Sequence, residues 1–112
     1  MINQRRFERL MRKVIVWYGN DRKQMTGSLT KNISAGGLLI EVKEKVDKDS
    51  VLNLEVKLPG KKDIMKLQAR VVRAEDQAGG SRLLGMEYTV IDQNHREAIT
   101  NYIQDNMKSV SG

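Results

Sequence analysis

Along most of the chain, apolar and polar residues alternate with a period of two. Leu52, Leu54, Val56 and Leu58 share one face, and Asn53, Glu55 and Lys57 share the other. That pattern predicts a half-buried strand. Pro59-Gly60 ends it with the fixed φ and positive φ of a type II turn. Met65, Leu67, Ala69 and Val71 alternate with Lys66, Gln68 and Arg70, and Leu84, Met86, Tyr88 and Val90 form a later apolar face. Upstream, Val14-Ile15-Val16-Trp17-Tyr18 is β-branched and aromatic up to Gly19-Asn20-Asp21, a turn composition. Alternation points one of Trp17 and Tyr18 inward and the other outward. Met25 to Thr30 reads as a second strand leading into a turn at Asn32. Leu38, Ile40 and Val42 make the inward face of a third, and Ala78-Gly79-Gly80-Ser81 reads as a late turn.

After Val90 the period changes. Asp92 is a good N-cap, and Ala98, Ile99, Tyr102, Ile103 and Asn106 follow helical spacing to about residue 107. Six strands and one closing helix, with one polar face per strand, predict an antiparallel barrel or sandwich with a C-terminal helix. Barrel closure removes exposed sheet edges. The expected organisation is an arginine-rich segment over 1–12 and one β domain over 13–112, its helix spanning about 92–107.

The chain has 112 residues, no cysteine and one histidine, His95. Disulfides, thiolate metal sites and a cysteine nucleophile are excluded, as is a histidine cluster. No metal or cofactor site is expected, and no nucleophile–base pair supports an enzyme. His95 reads as a packing or solvent-facing residue, and Asp47-Lys48-Asp49-Ser50 as a solvated turn. No apolar run approaches a membrane span and the start lacks the apolar core of a signal peptide, so a cytoplasmic protein is expected.

The formal charge is +6, which favours anionic partners. Residues 1–13 hold Arg5, Arg6, Arg9, Arg12 and Lys13 against Glu8, five minus one, or +4. Arg5 and Arg9 fall on one face in either helical or extended backbone. Guanidiniums suit phosphate, which they grip in a bidentate way, and they stack on bases. With nine arginines in the chain, an Arg-x-x-x-Arg pair is expected roughly 0.7 times by chance, so alone it is weak. The stretch Asn32-Ile33-Ser34-Ala35-Gly36-Gly37 is more specific. Asn32 and Ser34 can bond local backbone or a ligand edge. Gly36 and Gly37 permit positive φ and close approach of amides to an anion. A plain hairpin turn is the competing reading.

Arg-x-x-x-Arg followed by [Asp/Asn]-x-Ser-x-x-Gly, ahead of an all-β body, resembles the PilZ domain family, bacterial receptors for the second messenger cyclic di-GMP. Gly27 to Ile40 is similar to the family's strand–motif–strand unit, and Leu84-Gly85-Met86-Glu87-Tyr88 to its late glycine-and-aromatic strand. The resemblance implies a six-stranded antiparallel PilZ-type β-barrel with a C-terminal helix. It implies that Arg5 and Arg9 clamp the ligand's phosphates and guanines, with Arg6 adding charge. Asn32 and Ser34 would bond a guanine edge or phosphate, Gly37 would keep the turn open to the ligand, and Gly36 belongs to the same ligand-binding turn. Asn32 stands where aspartate is more frequent, so the grip differs in charge. Gln4 occupies a position linked to whether one ligand or a stacked pair binds. The implied role is a conformational switch: the arginine segment, mobile when free, orders over the Asn32–Gly37 surface and signals to a motility, adhesion or polysaccharide-export partner. Two alternatives stay open. One is a small basic barrel binding single-stranded nucleic acid, which the chain's five aromatics serve poorly; the other is a ligand-independent adaptor.

Overall fold

The computed structural model describes the backbone of residues 8–111 and the side chains of residues 8–107. The strands are β1 (Ile15–Asp21), β2 (Gln24–Ile33), β3 (Gly37–Val42), β4 (Val51–Lys57), β5 (Met65–Asp76) and β6 (Arg82–Val90), followed by α1 (Gln93–Ser111). They form a closed antiparallel barrel in the order β1-β2-β3-β6-β5-β4. Closure is made by β1 and β4, which pair from Ile15↔Lys57 to Gly19↔Asn53. The all-β reading with a C-terminal helix holds.

The alternating faces account for the core. Val16 and Tyr18, Leu38, Ile40 and Val42, Leu52, Leu54 and Val56, Met65, Leu67, Ala69 and Val71, and Leu84, Met86 and Tyr88 are all buried. β1 and β3 to β6 each contribute an apolar face to one interior, as a small barrel requires, and β2 adds Thr30 and Ile33. Tyr18 is the inward member of its pair with Trp17. Trp17 lies opposite Gly27, so its indole covers the bare glycine on the outer face.

The turns follow local chemistry. Lys61 N–H donates to Leu58 O at 3.1 Å around Pro59-Gly60, with Gly60 at φ 82°. Gly79 and Gly80, both at positive φ, reverse the chain between β5 and β6. The first turn lies later than its composition predicts. β1 runs through Gly19-Asn20-Asp21, and Arg22-Lys23 makes the reversal. A register irregularity between Tyr18 and Asp21 absorbs the extra residues, and Asp21 Oδ1 accepts the Lys23 N–H at 2.9 Å.

Asp92 caps α1 as expected: its Oδ1 accepts the Asn94 N–H at 2.9 Å and its carbonyl the Arg96 N–H at 3.0 Å. Ile99 and Ile103 bury completely into the barrel core, with Ala98 and Tyr102 packed beside them. The helix therefore belongs to the same hydrophobic core as the strands.

Candidate functional site

The approach of the basic segment to the barrel is set by Leu10. Its side chain is buried in the core, and its backbone pairs with Ile33 in both directions, Leu10 N–H to Ile33 O at 2.9 Å and Ile33 N–H to Leu10 O at 3.1 Å. Thr30 adds a second fastening. Its buried hydroxyl donates to Arg12 O at 2.7 Å and accepts the Val14 N–H at 2.9 Å. The part of the 1–12 segment within the described residues is thus docked along β2, and the expected boundary after residue 12 falls inside that docked stretch. Met11, next to Leu10, is exposed. Phe7 lies outside the described residues, as do Arg5 and Arg6.

Asn32 was expected in a turn and stands on β2. A register irregularity between Thr30 and Asn32 gives β2 one residue more than β3 at this point: Thr30 faces Ile40, yet Asn32 faces Leu39. The bulge reverses side-chain parity. Thr30 and Ile33 both point inward, and Asn32, which strict alternation from Thr30 would bury, is turned outward. There its Oδ1 accepts a hydrogen bond from Arg9 Nη1 at 2.8 Å. The second arginine of the N-terminal motif and the first polar residue of the turn motif are in direct contact.

The remaining motif residues form a tight turn closed on itself. Ser34 is buried. Its Oγ accepts the N–H groups of Gly36 and Gly37, both at 3.1 Å, and donates to Gly37 O at 3.2 Å. Its hydroxyl and the two glycine amides therefore serve the turn. Gly36 and Gly37 permit positive φ but do not use it: among the described residues the positive-φ glycines are Gly60, Gly79 and Gly80. At Gly37 the reason for glycine is space: a Cβ there would stand 1.9 Å from Met86 O on the neighbouring strand β6. β3 can begin at this point only because that position is bare.

Tyr88, two residues along β6 from Met86, is tied to the same turn through its N–H, which donates to Gly36 O at 3.0 Å. Its ring is buried, and burial raises the phenol pKa far above its ordinary value of 10.0, opposed by the positive charges of Arg9 and Arg96. The alternation marked Tyr88 as a core position of β6, and the family resemblance placed it in the late glycine-and-aromatic strand. The distant charges that reach it were not visible in the alternation.

Other cations are committed to the scaffold. Arg22 donates to Leu54 O at 3.2 Å and Leu67 O at 3.0 Å. Arg82 pairs with Asp76 at 2.8 Å and donates to Val46 O at 3.0 Å. Arg82 also lines a cavity of about 300 Å³ with Lys43, Glu44, Lys45 and Asp76, at the end of β3 away from the Ser34–Gly37 turn. Asp47 from the Asp47–Ser50 turn lies 3.6 Å from Arg82. His95 is half-buried in the first turn of α1. Among the described residues no group of three or more His, Asp or Glu side chains is arranged to hold a metal, and no helix is long and apolar enough to cross a membrane.

Fold and site together define a small barrel whose N-terminal arginine segment is joined to the β2–β3 motif. The chain belongs to the PilZ domain family, whose model matches residues 3–105. Its fold is similar to that of the Bacillus subtilis inhibitor of motility MotI, with a TM-score of 0.84 at 21% identity over 96% of this chain and 53% of that one. It is also similar to Escherichia coli YcgR in complex with c-di-GMP, with a TM-score of 0.76 at 11% identity over 98% and 49%. The PilZ domain of YcgR with c-di-GMP matches with a TM-score of 0.69 at 11% identity over 96% and 95%. The chain thus spans about half the length of MotI and of whole YcgR. No curated protein sequence matches it significantly.

Proposed function

We propose that the protein is a receptor for cyclic di-GMP, working as a binding module and not as an enzyme. The observation that carries this reading is the Arg9–Asn32 contact at 2.8 Å, which joins the two motifs at one surface. Membership of the PilZ family and the c-di-GMP complexes among similar folds support the choice of ligand. Arg5 and Arg9 grip phosphate and stack on guanine, Arg6 adds charge, and Asn32 offers its amide to a base edge. Ser34, Gly36 and Gly37 contribute by holding the turn that presents Asn32, since their polar groups bond one another.

In the free state Asn32 already holds Arg9. Ligand binding exchanges that bond to a neutral amide oxygen for bonds to anionic phosphate oxygens, in which both partners are charged and which a guanidinium can make in bidentate form. The arginine segment then changes position on the barrel. A motility, adhesion or polysaccharide-export component in the cytoplasm reads the altered surface.

Calorimetric titration of the protein with cyclic di-GMP tests the reading. Saturable heat that disappears in Arg5→Ala and Arg9→Ala, with folding intact, is the expected result. Wild-type protein that gives no heat overturns it.

A further inference from the structure

Among the described residues, two buried side-chain polar atoms lack a hydrogen-bond partner: the Tyr88 hydroxyl and His95 Nδ1. Native interiors pair such groups, and an orphan raises the question of what it awaits. Tyr88 stands at the motif turn, its N–H on Gly36 O at 3.0 Å and its side chain 93% buried, being 7% exposed. The charges of Arg9 and Arg96 both reach its phenol. One arginine comes from the N-terminal motif and the other from the first turn of α1.

An unpaired buried hydroxyl that feels the positive charges of Arg9 and Arg96 favours one kind of partner. A cation is repelled there, and a neutral group gains nothing from the positive charges. An anionic oxygen accepts the hydroxyl hydrogen and meets both positive charges. We propose that Tyr88 is a ligand-contacting residue, its hydroxyl donating a hydrogen bond to a phosphate oxygen of the bound cyclic dinucleotide. This rests on the receptor reading above and adds to it a contact from inside the barrel. The hydroxyl is closed to solvent in the free protein, so the contact requires local movement around it, and in this proposal the displacement of Arg9 from Asn32 supplies that movement. Ligand entry and segment movement are then one event, and α1 is connected to the site through Arg96.

The distinguishing variant is Tyr88→Phe, which removes the hydroxyl and keeps the ring. A buried donor without a partner destabilises the free protein, so Y88F melts at or above the wild-type temperature, by up to a few degrees. Its affinity for cyclic di-GMP, by calorimetry, falls about tenfold or more. Tyr18→Phe serves as the contrast, because the Tyr18 hydroxyl already bonds Glu44 far from the motif. Y18F loses stability and keeps wild-type affinity. If wild type binds and Y88F binds equally well, the Tyr88 contact alone is overturned. If wild type gives no heat, the receptor reading and the contact fall together.

Discussion

The Arg9 guanidinium and the Asn32 side-chain oxygen are 2.8 Å apart although 23 residues separate them in the chain. The contact depends on two local features: Leu10 anchors the segment on Ile33, and the β2 bulge turns Asn32 outward. It lies at the surface, so its own effect on stability is small. Arg9→Ala, Asn32→Ala and the double variant should each unfold within about 1 kcal/mol of wild type, with a coupling energy below about 1 kcal/mol. Affinity for cyclic di-GMP should drop at least about tenfold in each single variant. Urea unfolding and calorimetry on the same four proteins separate the two effects.

Gly37→Ala should be a stability variant before it is a binding variant. Its Cβ would meet Met86 O at 1.9 Å and Met86 C at 3.0 Å. These are backbone atoms that cannot swing aside. The β3–β6 pairing must open locally, at a cost of about 2 kcal/mol or more. A lower urea midpoint with unchanged slope is the expected outcome. Gly60→Ala makes a useful comparison, because nothing stands within 4 Å of its added Cβ and only its positive φ resists.

The barrel was legible because burial on one face leaves a period-two record in β1 and in β3 to β6, and Leu52 to Leu58 reads directly as β4 and its exit. Asp92 likewise announced the start of α1. The candidate site was legible only as parts. Nothing in the order of residues places a bulge at Lys31, yet that bulge decides which side of the sheet Asn32 occupies. Ser34 and Gly37 have ligand-like composition, and their chemistry serves the turn and the β3–β6 approach. Bulges and close approaches arise from strand pairing across the sheet, which local periodicity does not encode.

Thr30 shows the same limit and supports a sharp test. A threonine in a strand is unremarkable in sequence, but this hydroxyl is buried and bridges Arg12 O and the Val14 N–H. Thr30→Val keeps the shape and leaves both backbone groups without that partner. The variant should lose about 1–3 kcal/mol. Amide exchange at Val14 should rise in step, since its donor is left open, and unchanged protection there would refute the fastening role.

Stability should also fall in alkaline solution, for a reason the two interior tyrosines supply. Burial raises the pKa of both Tyr18 and Tyr88 well above 10.0, and at Tyr18 the Glu44 carboxylate raises it further. Each stays protonated in the folded chain at a pH where the unfolded chain ionises. The folded state then binds more protons, so unfolding becomes easier as pH rises. The contribution is fully present below pH 10 and declines above it, by up to about 1.4 kcal/mol per pH unit for a fully buried tyrosine such as Tyr88. Chemical unfolding at a series of pH values from 8 to 12 should show this downward slope, and Tyr88→Phe should make it shallower. Phenolate absorbance from these two residues should appear together with loss of the barrel's circular dichroism. Ionisation of both phenols in a chain that remains folded at pH 10 would contradict the placement of these rings in the core.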